Sequence, residues 1–322
     1  MRPRLVVACE LSRLNMERPA GAAVYASYVL ELLRRSGEVE VVGPEEQDRA
    51  QVVLSLDGRF RSAGGRRSVT AVLDVGHLFQ PRGYGVKGWL NAHRQATRAI
   101  RSDHLLAPSA TVQLGLERYL MVSPRRITVL PPFPAPHFRR PPREQVEALR
   151  RRLGLPDRYV LFVGVRSRRK NLGLLAEVWR RVSPRLPGVE LVLAGPGRGS
   201  VPGARDLGYV EGDLLPPLLA GAIAWLNPSH FEGSAIGALE AMACGTPPLV
   251  SATGAQPRAV GPAGLILDPT DATAWVEALV AVSRDDELRA GMVRAALATV
   301  ADLRRRPPDP EPLLAALRGD SG

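Results

Sequence analysis

The sequence predicts an α/β protein made of two doubly wound parallel-sheet domains, and three observations carry the prediction. Short apolar runs rich in β-branched residues alternate with segments of helical period in both halves, the β-α-β rhythm of parallel sheets. The run Tyr159-Val160-Leu161-Phe162-Val163 is apolar throughout, as a strand covered on both faces must be. Between Pro131 and Pro142 stand six prolines, which neither a central strand nor a helix interior accepts, so a linker divides the chain there. At 322 residues, 45% of them apolar and 23% charged, the chain can fill two cores.

Taken in order, residues 4–9 form the first strand. Their basic start and Val-Val-Ala-Cys ending superficially match a lipoprotein signal, but the apolar run falls short of the about 7 to 15 residues of a signal core. A loop through Pro19, Ala20 and Gly21 leads to a helix at 22–35, with Val24, Tyr28 and Leu32 on one face. A glycine ahead of a helix lets backbone amides approach a ligand, though it serves equally as a plain turn. Strands follow at 39–42, 51–55 and 69–73, the last after a Gly/Arg loop at 58–67. Beyond Asp74-Val75-Gly76-His77 come a helix at 88–102, a strand at 105–107, a helix from Ser109 to about 120 and a strand at 127–130.

The linker separates a domain at 1–140 from one that starts at 141 with a helix at 143–153. A strand at 159–164, a helix at 172–182 and a strand at 190–194 continue it, followed by glycine turns at Gly195-Pro196-Gly197 and Gly208-Tyr209-Val210. A strand at 222–226 delivers the chain to Pro228. Helices are expected at 272–282, 287–304 and 312–318.

Charge is unevenly spread. The net charge is +11, and residues 1–140 hold 21 Arg and Lys against 12 Asp and Glu, whereas the remainder holds 22 against 20. Such a basic half suits an anionic partner: a phosphorylated substrate, an anionic acceptor or an anionic membrane surface. Nucleic acid is not expected, because no aromatic residues interleave the basic ones and no nucleic-acid motif is present. The two cysteines, Cys9 and Cys244, form neither a disulfide framework nor a zinc motif, which fits a reducing cytoplasm. The longest apolar tract, 214–226, is interrupted by Pro216 and Pro217 and is shorter than the about 20 residues of a membrane span. A cytoplasmic protein, with peripheral membrane contact through its basic half, is the expectation.

Two stretches concentrate chemistry. Gly164 ends a buried strand and leads through Arg166, Arg168, Arg169 and Lys170 to a helix, where cations and helix N-terminal amides act on one anion. From Pro228 to Pro247 the chain carries two carboxylates, Glu232 and Glu240, around the turn Gly233-Ser234-Ala235-Ile236-Gly237, with Ser234 placed to cap the helix that follows. Glu240, eight positions on, leans back toward that turn. Paired carboxylates there suit binding of sugar or ribose hydroxyls, acid/base hydrolysis, or no chemistry beyond helix-start charges.

These residues carry a family resemblance. Pro-Ser-His-Phe-Glu-Gly, the second glutamate, and Ala241-Met242-Ala243-Cys244-Gly245-Thr246-Pro247 resemble the donor-site signature of the retaining glycosyltransferases of family 4, the group 1 glycosyltransferases. So do Gly164 with Arg169-Lys170-Asn171, Gly208-Tyr209-Val210, and Ala263 to Pro269. The likeness is ordered across 159–290 and looser in the first half, where Gly21, the Asp74 region and Ser109 find counterparts. It implies a GT-B architecture, two Rossmann-like domains facing across a cleft, with a last helix at about 303–322 returning to the first domain and the second domain ending near 302. It implies transfer, with retained anomeric configuration, from a nucleotide-diphosphate sugar to a glycan, glycolipid or small acceptor, as in polysaccharide biosynthesis. Arg169 and Lys170 would hold the diphosphate, Glu232 the sugar and Glu240 the ribose. Gly21, Gly164, Tyr209, Val210 and the amides of Gly233, Ser234, Ala235, Ile236 and Gly237 would line the donor site. No metal or other cofactor is expected, and no Asp-X-Asp triplet occurs.

The sequence departs from the family pattern in three places. Ser234-Ala235-Ile236-Gly237 replaces the usual Phe-Gly-Leu-Pro, and Pro257-Arg258 replaces Pro-Glu. In the first domain the usual His-Asp pair reads Leu73-Asp74, which leaves His77 as the substitute histidine beside Asp74. The alternative reading is a GT-B protein that binds a nucleotide-sugar or a partner without transfer.

Overall fold

The computed structural model describes residues 4–11, 14, 21–60, 63–197 and 199–320, and in it the chain forms two compact units. Pro19 and Ala20 of the first loop lie outside the described residues. One unit comprises Met1–Phe133 with Pro308–Gly322, the other Pro134–Pro307.

The first unit holds strands β1 (Leu5–Glu10), β2 (Val39–Val42), β3 (Val52–Ser55), β4 (Arg67–Ala71), β5 (His104–Ala107) and β6 (Ile127–Val129). All pair in parallel, in the order β2-β1-β3-β4-β5-β6. Its helices are α1 (Ala22–Ser36), the short α2 (Gly76–Phe79), α3 (Gly85–Ala99) and α4 (Ala110–Leu120). Ser109 caps α4 by accepting from the Val112 amide at 3.3 Å. Tyr25, Ala26, Val29 and Leu33 of α1 pack over Val7, Leu54, Val69 and Leu106, with strand alternation turning every second residue to that face.

The second unit opens with α5 (Arg143–Leu153) and β7 (Arg158–Val163). It continues with α6 (Leu172–Val182), β8 (Val189–Ala194), β9 (Arg205–Asp206), α7 (Leu215–Ala220) and β10 (Trp225–Asn227). α8 (Ile236–Ala243), β11 (Pro248–Ser251), α9 (Gln256–Val260), β12 (Leu265–Leu267), α10 (Ala272–Arg284) and α11 (Asp286–Arg305) complete it. Its parallel sheet runs β12-β11-β10-β7-β8-β9. Val160, Phe162, Leu191 and Leu193 turn to one core, and Tyr159, Leu161, Val192 and Trp225 to the other. Both faces are buried, which is why these strands read as unbroken apolar runs.

Both sheets are doubly wound, as the sequence predicts, but their strand orders differ. Counting each unit from its own first strand, the first sheet runs 2-1-3-4-5-6 and the second 3-2-1-4-5-6. The direction of winding reverses between β7 and β10 in the second, and ligands of doubly wound sheets sit beyond the carboxyl ends of the strands at such a reversal.

The last helix, α12 (Glu311–Arg318), belongs to the first unit, where Leu313, Leu314, Ala316 and Leu317 share the core with α1. Arg67 Nε donates to the Ala316 carbonyl at 2.8 Å. The chain leaves the second unit after Pro307, where prolines bar α11 from continuing. Among the described residues no helix is long and apolar enough to cross a membrane.

Candidate functional site

The reversal point of the second sheet brings together the two stretches singled out in the sequence. β7 ends at Val163 and β10 at Asn227, so the loops that follow, Gly164 to Asn171 and Pro228 to Ala235, emerge side by side. Gly164 has φ +155°, and a Cβ on neighbouring Gly195 would stand 2.2 Å from the Gly164 carbonyl oxygen. The β7 and β8 loops therefore pass with backbone against backbone. The Gly195 amide donates to the Gly208 carbonyl at 2.6 Å, which fixes the turn carrying Tyr209 and Val210 behind them.

Residues 168–170 form one turn of 3-10 helix, and Asn171 at φ +54° reverses the chain into α6. Asparagine tolerates that conformation better than most residues, and its Nδ2 is anchored on the Pro269 carbonyl at 3.0 Å. The turn aims Arg169 and Lys170 at the other loop. Lys170 Nζ donates to Glu232 Oε1 at 2.6 Å, and Arg169 Nη1 lies 3.0 Å from the same oxygen. Arg169 also donates to the Phe231 carbonyl at 2.6 Å and accepts, through its own carbonyl, from the His230 amide at 2.9 Å.

Glu232 is 13% exposed in its side chain. Burial acts to raise its pKa, but the charges of Arg169 and Lys170 outweigh that, and with hydrogen bonds from Lys170 and Ser229 they hold it at about 2. Glu232 is thus a permanent anion, an acceptor of hydrogen bonds and a poor base. Its carbonyl accepts from the Ala255 amide at 2.8 Å, and a Cβ on Gly254, at φ +64°, would fall 2.2 Å from that oxygen. Gly254 is a part of this wall that the sequence reading missed. Its signal is a lone glycine in a Thr-Gly-Ala turn straight after a strand.

The four-cation reading of the first loop is corrected to two. Arg166 turns away to ion-pair with Asp206 and to donate to the carbonyls of Gly195 and Gly199 at 3.0 Å, stapling the β7 and β8 loops. Arg168 is exposed. The expected Ser234 cap is also corrected: the N-cap of α8 is Ala235, at φ +53° and without a side-chain cap bond. That φ is one a glycine adopts without strain and an alanine does not. At Gly237, a Cβ would meet Trp225 Cζ2 at 3.0 Å, so the indole of β10 occupies the space a larger residue would need.

Glu240 lies midway along α8, and burial pushes its carboxyl up to about 8. At neutral pH it is largely protonated and able both to donate and to accept a hydrogen bond, which matches a vicinal diol. Gln256, at the start of α9, is fully buried with neither side-chain amide atom bonded, a cost the chain carries close behind Gly254.

In the first unit, Gly21 is exposed at the start of α1 with open space around its Cα. Asp74 Oδ1 accepts from the Gly76 amide and the Tyr84 hydroxyl, each at 2.6 Å. His77 is 1% exposed, its ring edge-on to those of Tyr84, Trp89 and His93, with both ring nitrogens buried and unbonded. Burial, with the neighbouring His93, holds it down at about 4. In this arrangement His77 is a neutral packing ring and offers no nitrogen to a ligand. Among the described residues no group of three or more His, Cys, Asp or Glu is placed to hold a metal ion.

The chain is similar in sequence and fold to several known proteins. Residues 157–285 match the family model described as glycosyl transferases group 1. Over 148 residues, 41% of this chain and 38% of the relative, the sequence is 34% identical to O-antigen chain mannosyltransferase B of Escherichia coli. Over 213 residues, 58% of this chain and 51% of the relative, it is 34% identical to a D-inositol 3-phosphate glycosyltransferase of Actinosynnema mirum. The chain thus spans about half or less of the length of these curated relatives. Among solved structures, WaaG, a glycosyltransferase involved in lipopolysaccharide biosynthesis, superposes with a TM-score of 0.76 at 17% identity, covering 99% of this chain and 100% of that one. Anabaena Alr3699/HepE in complex with UDP and glucose superposes at 0.71 and 14% identity, over 93% and 95%. At such identities the likeness is one of fold, and the fold is GT-B.

Proposed function

From the premise that residues 157–285 match the group 1 glycosyltransferases and that the fold is GT-B, we propose that this chain is a retaining glycosyltransferase using a nucleotide-diphosphate sugar. The observation that carries the proposal is the convergence of Arg169 and Lys170 on Glu232 at the sheet's reversal point. Without ligand, the carboxylate holds both cations over the loop. A diphosphate competes for them with two charged phosphoryl groups, and Glu232 is then released to accept hydrogen bonds from sugar hydroxyls. Glu240, held neutral by burial, takes the ribose diol.

Transfer breaks the bond between the anomeric carbon and the diphosphate oxygen and forms one to the acceptor oxygen on the same face. Negative charge grows on the departing diphosphate, where Arg169 and Lys170 stabilise it more strongly than in the ground state. The same diphosphate accepts the acceptor's proton, because Glu232 at about 2 is too weak a base to take it. Positive charge from the two side chains fills the role a metal ion would have. UDP-glucose is the first donor to try, given the ligands of the Anabaena structure.

A transfer assay with a panel of nucleotide-sugars, read by NMR of the anomeric proton, tests the proposal. A product of donor configuration, formed equally with and without a chelator, is expected; an inverted product or chelator-sensitive turnover contradicts it. Donor binding without turnover for any acceptor supports the second reading, a binding protein, which the inaccessible His77 favours.

A further inference from the structure

Away from the loops that hold Glu232, a cavity of about 480 Å³ opens on the second unit, lined by Arg139, Arg140, Arg304 and Arg305. Buried Ala243 and Val300 contribute apolar lining. Arg304 donates to the Phe138 carbonyl, which ties the end of α11 to the segment bearing Arg139 and Arg140. Arg140 is held over the end of α8, where a Cβ on Gly245 would meet its Cδ at 3.4 Å. Asp302 pairs with Arg305 at 3.1 Å and with Arg306 at 3.4 Å. Neither Arg139 nor Arg140 has a carboxylate partner among the described residues.

Four guanidinium groups stand around one concave space, and among the described residues Asp302 alone ion-pairs with any of them, so a positive potential is focused into it. Their planar forks match pairs of phosphoryl oxygens, and the volume is that of a small-ligand site. The apolar lining suits a ligand with an aliphatic or aromatic body beside its phosphate. The position adds a consequence. Arg139 and Arg140 follow closely on the point where the chain enters the second unit after Phe133, and Arg304 and Arg305 shortly precede the point where it leaves after Pro307.

We propose that this pocket binds a phosphorylated ligand with an apolar body, and that the bound phosphate ties together the roots of both segments joining the two units. The proposal is independent of the donor-site reading, because it uses none of the same residues. One chemistry has two sources here, a soluble phosphate ester or the headgroup of an anionic phospholipid.

The test uses the full chain carrying Lys170→Ala, to silence the other phosphate-binding loop, with octyl phosphate and inorganic phosphate as calorimetric probes. Octyl phosphate is expected to bind, more tightly than inorganic phosphate, and the added pair Arg139→Gln and Arg140→Gln weakens it by about tenfold or more. Both are exposed side chains, so folding is preserved; Arg305→Gln, with an unchanged melting curve as control, gives a second, independent loss. Co-sedimentation with phosphatidylglycerol but not phosphatidylcholine vesicles, abolished by the same pair, assigns the site to a lipid headgroup. Octyl phosphate binding without co-sedimentation assigns it to a soluble ester. Failure to bind octyl phosphate and vesicles, or binding that the arginine variants leave unchanged, overturns the proposal.

Discussion

Ala235 and Glu240 show how one residue's environment sets both stability and chemistry in the loop and helix of the candidate site. Ala235 carries a positive φ of 53° and is 4% exposed. Ala235→Gly relieves about 1–2 kcal/mol of left-handed strain, but it costs about 0.5–1 kcal/mol of backbone entropy and removes a buried methyl worth about 0.8 kcal/mol. The contributions nearly cancel, so denaturant unfolding should show a change below about 1 kcal/mol, whereas Ala235→Val, β-branched at the same φ, should lose about 2 kcal/mol or more. Glu240 titrates at about 8 when folded against 4.5 as a free side chain. Between those values the unfolded chain has lost a proton that the folded one keeps, so this group's contribution to stability is fully present below pH 4.5 and falls as pH rises toward 8. Glu240→Gln should flatten the stability profile across that window, by up to about 1.4 kcal/mol per pH unit, and a wild-type slope unchanged in the variant would sink the assignment.

At the scale of elements, most of the plan was readable. The apolar run of β7, the glycine that ends it and the Ser109 cap of α4 are local signals with direct physical causes, and the structure places them where the sequence does. The short strands β9 and β12 and the proline-initiated α7 were not readable, because their formation depends on neighbours that complete the sheet or cover it. In the site, the pairing of Glu232 with Arg169 and Lys170 follows from which strands are adjacent, a tertiary fact no spacing encodes. Arg166 and His77 read as functional side chains, yet carbonyls and a carboxylate claim the first and aromatic rings enclose the second. α12 is the element with the largest predicted effect. Its three buried leucines contribute about 5–9 kcal/mol as an upper estimate, comparable with the whole stability of a domain of this size. Deleting residues 308–322 should abolish cooperative melting of the first unit while the second still melts; two intact transitions would contradict its place in that core.

For the whole molecule, two sheets wound in different orders divide the work. The second carries the cation pair, the anionic Glu232 and the neutral Glu240 at its reversal point, and the first carries a closed aromatic cluster around His77. Under the proposed function, that division makes donor binding a property of the second unit. The most direct measurement is calorimetric titration of wild-type and Lys170→Ala protein with nucleotide-diphosphate sugars, beginning with UDP-glucose. One donor should bind the wild type and lose about a hundredfold or more in affinity on loss of the Lys170 charge, about 3 kcal/mol for a charge-assisted contact. Equal affinity of the two proteins for the donor, or no binding of any donor by the wild type, would contradict the account.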